Sequence, residues 1–106
     1  MENQTLQKQT NSQALLKTLE VKERGFNLVP SLAIAMERLE MEIKNIDNTI
    51  DDICTEFSSN KLSDIKEAIR KGSLGKYGRS YRLSTQEISY WIREYLKEKN
   101  AKKIVF

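Results

Sequence analysis

Histidine is absent from this 106-residue chain, and cysteine occurs once, at Cys54. Protein zinc sites are usually built from clusters of cysteine and histidine, so a zinc site with those ligands is excluded, as is acid–base catalysis by histidine. A single cysteine cannot form a disulfide within the chain, which fits a reducing compartment such as the cytoplasm. Cys54 itself has no histidine to activate it, and we interpret it as a structural residue. We therefore expect a protein without a metal or a cofactor, and not an enzyme.

Long apolar runs, proline and glycine are also scarce. No run of about 18 apolar residues occurs, and the first ten residues have no apolar signal core, so we expect no membrane association. One proline and four glycines interrupt the chain, and 31% of its residues are charged, as in long amphipathic helices. This composition predicts an all-α protein of about four helices.

Local start and stop signals divide the chain into segments. A first helix is predicted from Ser12 to a glycine stop at Gly25, and Pro30 and Ser31 indicate the start of a second one. The sequence Ser84-Thr85-Gln86-Glu87 matches a capping box at the start of the last helix, in which Trp91 lies on an apolar stripe and is expected in the core. The predicted order is a frayed N-terminus 1–11, an assembly region 12–60 that contains a long helix 32–57, a basic region 61–99 with helices 61–71 and 84–99, and a tail 100–106.

The predicted long helix carries an apolar residue at alternating steps of four and three, which is the a/d pattern of a coiled coil. We call these eight residues the seam: Leu32, Met36, Leu39, Ile43, Ile46, Ile50, Ile53 and Phe57. Acidic residues flank the seam and disfavour a parallel pair of identical helices. The seam predicts assembly with a second copy or a helical protein partner. An intramolecular bundle, with or without dimerisation, and an extended intermolecular coil are the open alternatives.

Charge is distributed unevenly around the net value of +3. Residues 1–60 hold six basic and ten acidic residues, a balance of −4, whereas residues 61–106 hold twelve and five, a balance of +7. An acidic half joined to a basic half suggests that one part assembles while the other meets an anionic partner.

The strongest concentration of positive charge is the loop between the last two predicted helices. Segment 70–82 reads RKGSLGKYGRSYR and contains no acidic residue. Lysine and arginine neutralise phosphates, glycines let the backbone approach closely, and tyrosines stack on bases. The helix that follows could present Gln86 to base edges. The candidate nucleic-acid-binding residues are Lys71, Lys76, Tyr77, Arg79, Arg82 and Gln86.

The two helices and this loop resemble a helix-turn-helix, although the loop has about twelve residues where the usual turn has three or four. The loop lacks the spacing of nucleotide phosphate-binding motifs. A plain connector and a contact for an acidic protein are the alternatives to a DNA- or RNA-binding loop.

Segment 67–98 also resembles part of a group of small phage and mobile-element proteins. The shared pattern is a short helix, a loop of the form GxLGKYG and a helix with a tryptophan followed four residues later by a tyrosine. In this chain the pattern falls on Gly72, Leu74, Gly75, Lys76, Tyr77, Gly78, Trp91 and Tyr95. Some proteins of this kind are linked to replication, so the resemblance implies a replication-accessory role. A second hypothesis is an adaptor or inhibitor that binds a host or phage protein through the acidic long helix.

Overall fold

The computed structural model describes residues 23–104. This range contains four α-helices and no strand. The predicted all-α class is confirmed. The helices are α1 (23–39), α2 (Ile46–Glu56), α3 (Leu62–Ser73) and α4 (Thr85–Ile104). None of the helices in this range combines the length and the apolarity that a membrane span requires. The expected N-terminal segment 1–11 and the first helical residues from Ser12 lie outside the described range.

The predicted long helix 32–57 is wrong, because the chain turns between α1 and α2. Glu40 has a φ of 53°, in the left-handed region, and ends α1 without a glycine. The N–H of Met41 donates to the carbonyl of Met36 at 3.1 Å and that of Glu40 to Glu37 at 3.3 Å, which is the pattern of a Schellman cap. Asn45 then caps α2 by accepting from the N–H of Asn48 at 3.0 Å.

The seam therefore lies on two helices and their connection, and its side chains face the chain's own core. Leu32, Ile50, Ile53 and Phe57 are buried, and the other four are partly buried against the same cluster. These positions fit the alternative of an intramolecular bundle, and they do not form a continuous coiled-coil interface.

The predicted break between residues 25 and 31 is also wrong, since α1 runs through both Gly25 and Pro30. Gly25 is buried, and a Cβ there would lie 2.5 Å from Cγ2 of Ile50. Glycine thus allows α1 to approach α2 closely and does not end the helix. Proline has no N–H, so the carbonyl of Phe26, four residues before Pro30, loses its helical partner. Phe26 and Pro30 are both exposed, so water can reach this carbonyl.

The packing of α3 on α4 forms the centre of the core. Trp91 is 0% exposed, which confirms its predicted core position, and its ring lies directly over Gly72. The helix predicted over 61–71 continues through Gly72 to Ser73. Close contact with the indole explains why a glycine is present there.

Polar contacts fix the ends of the helices. One half of the predicted capping box of α4 is present, because the Ser84 hydroxyl accepts from the N–H of Glu87 at 3.2 Å. In the other half, the Glu87 carboxylate accepts from the Ser80 hydroxyl at 3.0 Å and not from Ser84. The hydroxyls of Thr49 and Thr85 are 2.8 Å apart and join the first turns of α2 and α4. These contacts hold the start of α4 beside the loop that precedes it.

Asp64 joins the start of α3 to the far part of α4. Both carboxylate oxygens accept from Lys99 Nζ at 2.9 Å, and Oδ1 also accepts from the Tyr95 hydroxyl at 3.3 Å. The Asp64 side chain is 14% exposed. The hydrogen bond from Lys99 is the main reason that the pKa of Asp64 lies below its ordinary value.

We expect this contact to make stability fall in acid. Because the pKa of Asp64 is lowered on folding, its contribution is complete above the unfolded value of about 4 and is lost as pH falls through the folded value. Unfolding by urea should show a difference between wild type and Asp64→Asn that is largest near neutral pH and shrinks below about pH 4. A constant difference over this range would contradict the assignment.

Candidate nucleic-acid interface

The connection from α3 to α4 turns at two glycines with left-handed backbone. Gly75 has a φ of 88° and Gly78 a φ of 110°. A Cβ at either position would meet no atom within 4 Å, so the backbone conformation, and not crowding, accounts for glycine here. After Gly78 the chain changes direction, and this divides the predicted basic loop into two parts.

The part before Gly78 contacts α4. Lys76 forms a salt bridge with Glu98 at 3.2 Å, and the Tyr77 hydroxyl is 3.5 Å from the same carboxylate. Burial, followed by the charge of Glu98, raises the pKa of Tyr77 to about 12. Lys71 lies over the Tyr95 ring, with Nζ 5.0 Å from its centroid. Three of the predicted nucleic-acid-binding residues thus have partners within the protein.

The part after Gly78 points basic and aromatic groups outward. Arg79 and Arg82 are exposed, and Tyr81 between them is 80% exposed. The Arg79 guanidinium carbon is 5.6 Å from the centroid of the Tyr81 ring. Ser80 and Leu83 are buried, so they anchor the segment on either side of Tyr81.

One groove lies between this segment and the connection from α1 to α2. It encloses about 540 Å³, and its charged lining residues are Glu42, Lys44 and Arg82. The capped starts of α2 and α4 also border it, through Asn45 and Ser84. Helix starts favour anions, because their first N–H groups lack helical partners.

A second groove of about 570 Å³ is also lined by Tyr81. Its charged lining residues are Arg38 and Arg79, and the glycine turn supplies backbone along its edge. Arg38 is held in place by a hydrogen bond from Nη1 to the Ser73 hydroxyl at 3.0 Å. Both grooves share Met41 and Tyr81, so they adjoin each other.

We call this region the Tyr81 surface and define it as Arg38, Lys44, Arg79, Tyr81 and Arg82. Its cations come from α1, from the connection to α2 and from the loop before α4. Only Arg79 and Arg82 of the six predicted residues belong to it. Sequence reasoning missed Arg38 and Lys44, because both fall on the predicted helix 32–57, which is separated in sequence from the loop.

Gln86, the last predicted residue, lies on a different groove, between α2 and α4. The acidic residues of that groove are Asp51, Asp52 and Glu56, and its basic residue is Arg93. We call it the acidic groove. The structure therefore does not bring Gln86 together with the loop arginines.

The chemistry of the remaining candidate groups is limited within residues 23–104. Cys54 is buried, and burial raises the pKa of its thiol, which disfavours the reactive thiolate. No cluster of three carboxylate or cysteine side chains suited to a metal ion occurs in this range. The Tyr81 surface is the site that these residues best support.

Comparison with protein-family models, with curated proteins and with solved structures finds no match to this chain.

Proposed function

We propose that this protein binds nucleic acid without catalysing a reaction. The cations of the Tyr81 surface would contact the phosphates. The supporting observation is that four cations from three separate segments line two grooves that share one exposed tyrosine, and Glu42 is the only acidic residue among the described residues lining these grooves. Phosphate contacts supply most of the affinity of nucleic-acid-binding proteins, and aromatic rings add stacking. The resemblance of segment 67–98 to phage and mobile-element proteins suggests a replication-accessory role.

The Tyr81 surface lies within one chain. Half of the seam, from which an oligomer was expected, is buried in the chain's own core and the other half is partly buried against it, so assembly through the whole seam would compete with this packing. The proposed binding thus needs no second copy.

Charge reversal at the two loop arginines is expected to weaken binding. The variant Arg79→Glu/Arg82→Glu replaces two cations on the Tyr81 surface by carboxylates, and we expect its affinity for a fluorescein-labelled oligonucleotide to fall at least about tenfold. Fluorescence polarisation measures the dissociation constant. Far-UV circular dichroism checks that the variant is folded.

A matched control is Lys61→Glu/Lys97→Glu, which changes the net charge equally at two exposed positions away from both grooves. Its dissociation constant should remain within about twofold of the wild-type value. Equal weakening by both variants would mean that net charge, and not the Tyr81 surface, governs binding.

The second candidate function is an adaptor that binds a basic protein surface through α2. Asp47, Asp51, Asp52 and Glu56 are exposed on that helix, and none of them forms a salt bridge within residues 23–104. Such a cluster of carboxylates complements a basic partner. A stoichiometric complex with a host or phage protein, combined with no affinity for nucleic acid, would favour this function over the first.

A further inference from the structure

We propose that the ligand of the Tyr81 surface is single-stranded nucleic acid, with one base stacked on the Tyr81 ring, and that duplex binds poorly. This inference rests on the proposed nucleic-acid function and specifies its substrate class. Three features of the described residues support it.

The first feature is the position of the Tyr81 ring. Buried Ser80 and Leu83 hold the segment on the protein, while the ring between them stands 80% exposed with the Arg79 guanidinium over one of its faces. Tyr77, in the same loop, packs against α4 and is partly buried. The loop therefore presents one of its two tyrosines as a free aromatic face next to a cation, and such platforms stack on unpaired bases of any sequence.

The second feature is the pair of grooves beside the ring. Volumes of about 540 and 570 Å³ are in the range of small-molecule sites, and Tyr81 lines both grooves. Arg82 and Lys44 line one of them, and Arg79 and Arg38 the other. A flexible strand could place successive phosphates in both grooves while one base covers the ring. In a duplex the bases are already stacked and paired, so the ring has no exposed base to contact.

The third feature is the acidic groove beside the helix that a helix-turn-helix would insert into a major groove. Gln86 and Arg93 of α4 line this groove with Asp51, Asp52 and Glu56 of α2. A duplex lying along α4 would bring its phosphates close to these three carboxylates. Repulsion between the phosphates and these carboxylates opposes the approach of a duplex.

Tyrosine variants test the stacking directly. Polarisation should be measured for labelled oligothymidylate, oligouridylate and a DNA duplex of equal length with wild type, Tyr81→Ala and Tyr81→Phe. We expect Tyr81→Ala to weaken binding to both single strands about tenfold and Tyr81→Phe to leave it within about twofold, because the phenyl ring still stacks. Wild type should bind duplex at least about tenfold more weakly than single strands, and Tyr81→Ala should not change that value.

A second variant tests the role of the acidic groove. Asp51→Asn/Asp52→Asn/Glu56→Gln removes its carboxylates at exposed positions, and it should raise duplex affinity several-fold more than single-strand affinity.

The outcomes separate this inference from the proposed function. If duplex binds as tightly as single strands, or if Tyr81→Ala binds single strands as wild type does, while Arg79→Glu/Arg82→Glu still weakens binding at least about tenfold, the single-strand inference fails and the proposed function stands. If wild type binds none of the three probes, both fail. A Tyr81→Ala effect on only one of the two single strands would restrict the ligand to DNA or to RNA.

Discussion

Replacing Gly72 by alanine is expected to destabilise the protein by about 2 to 3 kcal/mol. The added Cβ would lie 2.0 Å from Cδ2 of Trp91 and 2.2 Å from Cγ. The indole is rigid and fully buried between α3 and α4, so either the ring or a whole helix must shift. At an uncrowded helical position the same change would stabilise the protein by about 1 kcal/mol, so the sign of the effect is diagnostic.

Equilibrium unfolding in urea measures this change, and two comparisons identify its cause. Gly25→Ala also adds a Cβ inside a helix, but at 2.5 Å it meets a single methyl group, Cγ2 of Ile50, and not a rigid ring, so the loss should be smaller. The double variant Gly72→Ala/Trp91→Ala should be less than additive, because truncation of Trp91 at Cβ removes Cγ and Cδ2, the atoms that the new Cβ overlaps. Strict additivity, or a Gly72→Ala variant as stable as wild type, would show that α3 and α4 do not pack as described.

Truncating Arg24 to alanine is expected to cost about 1.5 to 3 kcal/mol. Its guanidinium donates to the carbonyl of Ser58 at 2.6 Å, of Asn60 at 2.7 Å and of Phe57 at 3.3 Å. These carbonyls follow the last turn of α2, where a cation is also favoured by the helix dipole. One side chain of α1 thus closes the turn between α2 and α3.

Arg24→Lys is the matched control for this prediction. It keeps the charge, but a single ammonium does not reproduce the planar fork that reaches three carbonyls, so it should recover only part of the lost stability. Thermal and urea unfolding give the free energies. Full stability of Arg24→Ala would contradict the structural role, and full recovery by lysine would reduce that role to charge alone.

The sequence allowed much of the second half of the fold to be predicted, although α4 continues to Ile104 where a tail from residue 100 was predicted. The start of α4 follows from a capping sequence, and Trp91 follows from the apolar stripe behind it. Both signals act over one or two helical turns, and each agrees with the packing around it. Local patterns of this kind are reliable when propensity and burial favour the same structure.

The first half was predicted less well, because its two decisive residues act against their usual preferences. Glu40 adopts the left-handed conformation that normally marks glycine, whereas Gly25 is helical and α1 continues beyond it. The four-three spacing of the seam continues across the turn, since both helices bury aliphatic residues in one core. Asn45, followed by Asp47 in the first turn of α2, was the available sign of a new helix start.

The candidate site could be predicted only in part for a related reason. A loop rich in cations was identified, but its sequence does not reveal that Gly78 turns Lys76 toward Glu98 and leaves Arg79 outside. Arg38 and Lys44 join the surface only because the chain turns at Glu40. Contacts between distant segments depend on that turn, and no local pattern specifies them.

The central claim is that the Tyr81 surface binds nucleic acid through phosphate contacts, and a salt titration tests it most directly. The dissociation constant of wild type for labelled oligothymidylate should be measured between about 50 and 200 mM salt. Four phosphates, neutralised by Arg38, Lys44, Arg79 and Arg82, predict a log–log slope of about three and more than about thirtyfold weaker binding at the high end, with a shallower slope for Arg79→Glu/Arg82→Glu. A dissociation constant that stays constant over this range, or the same slope in both proteins, would contradict the claim.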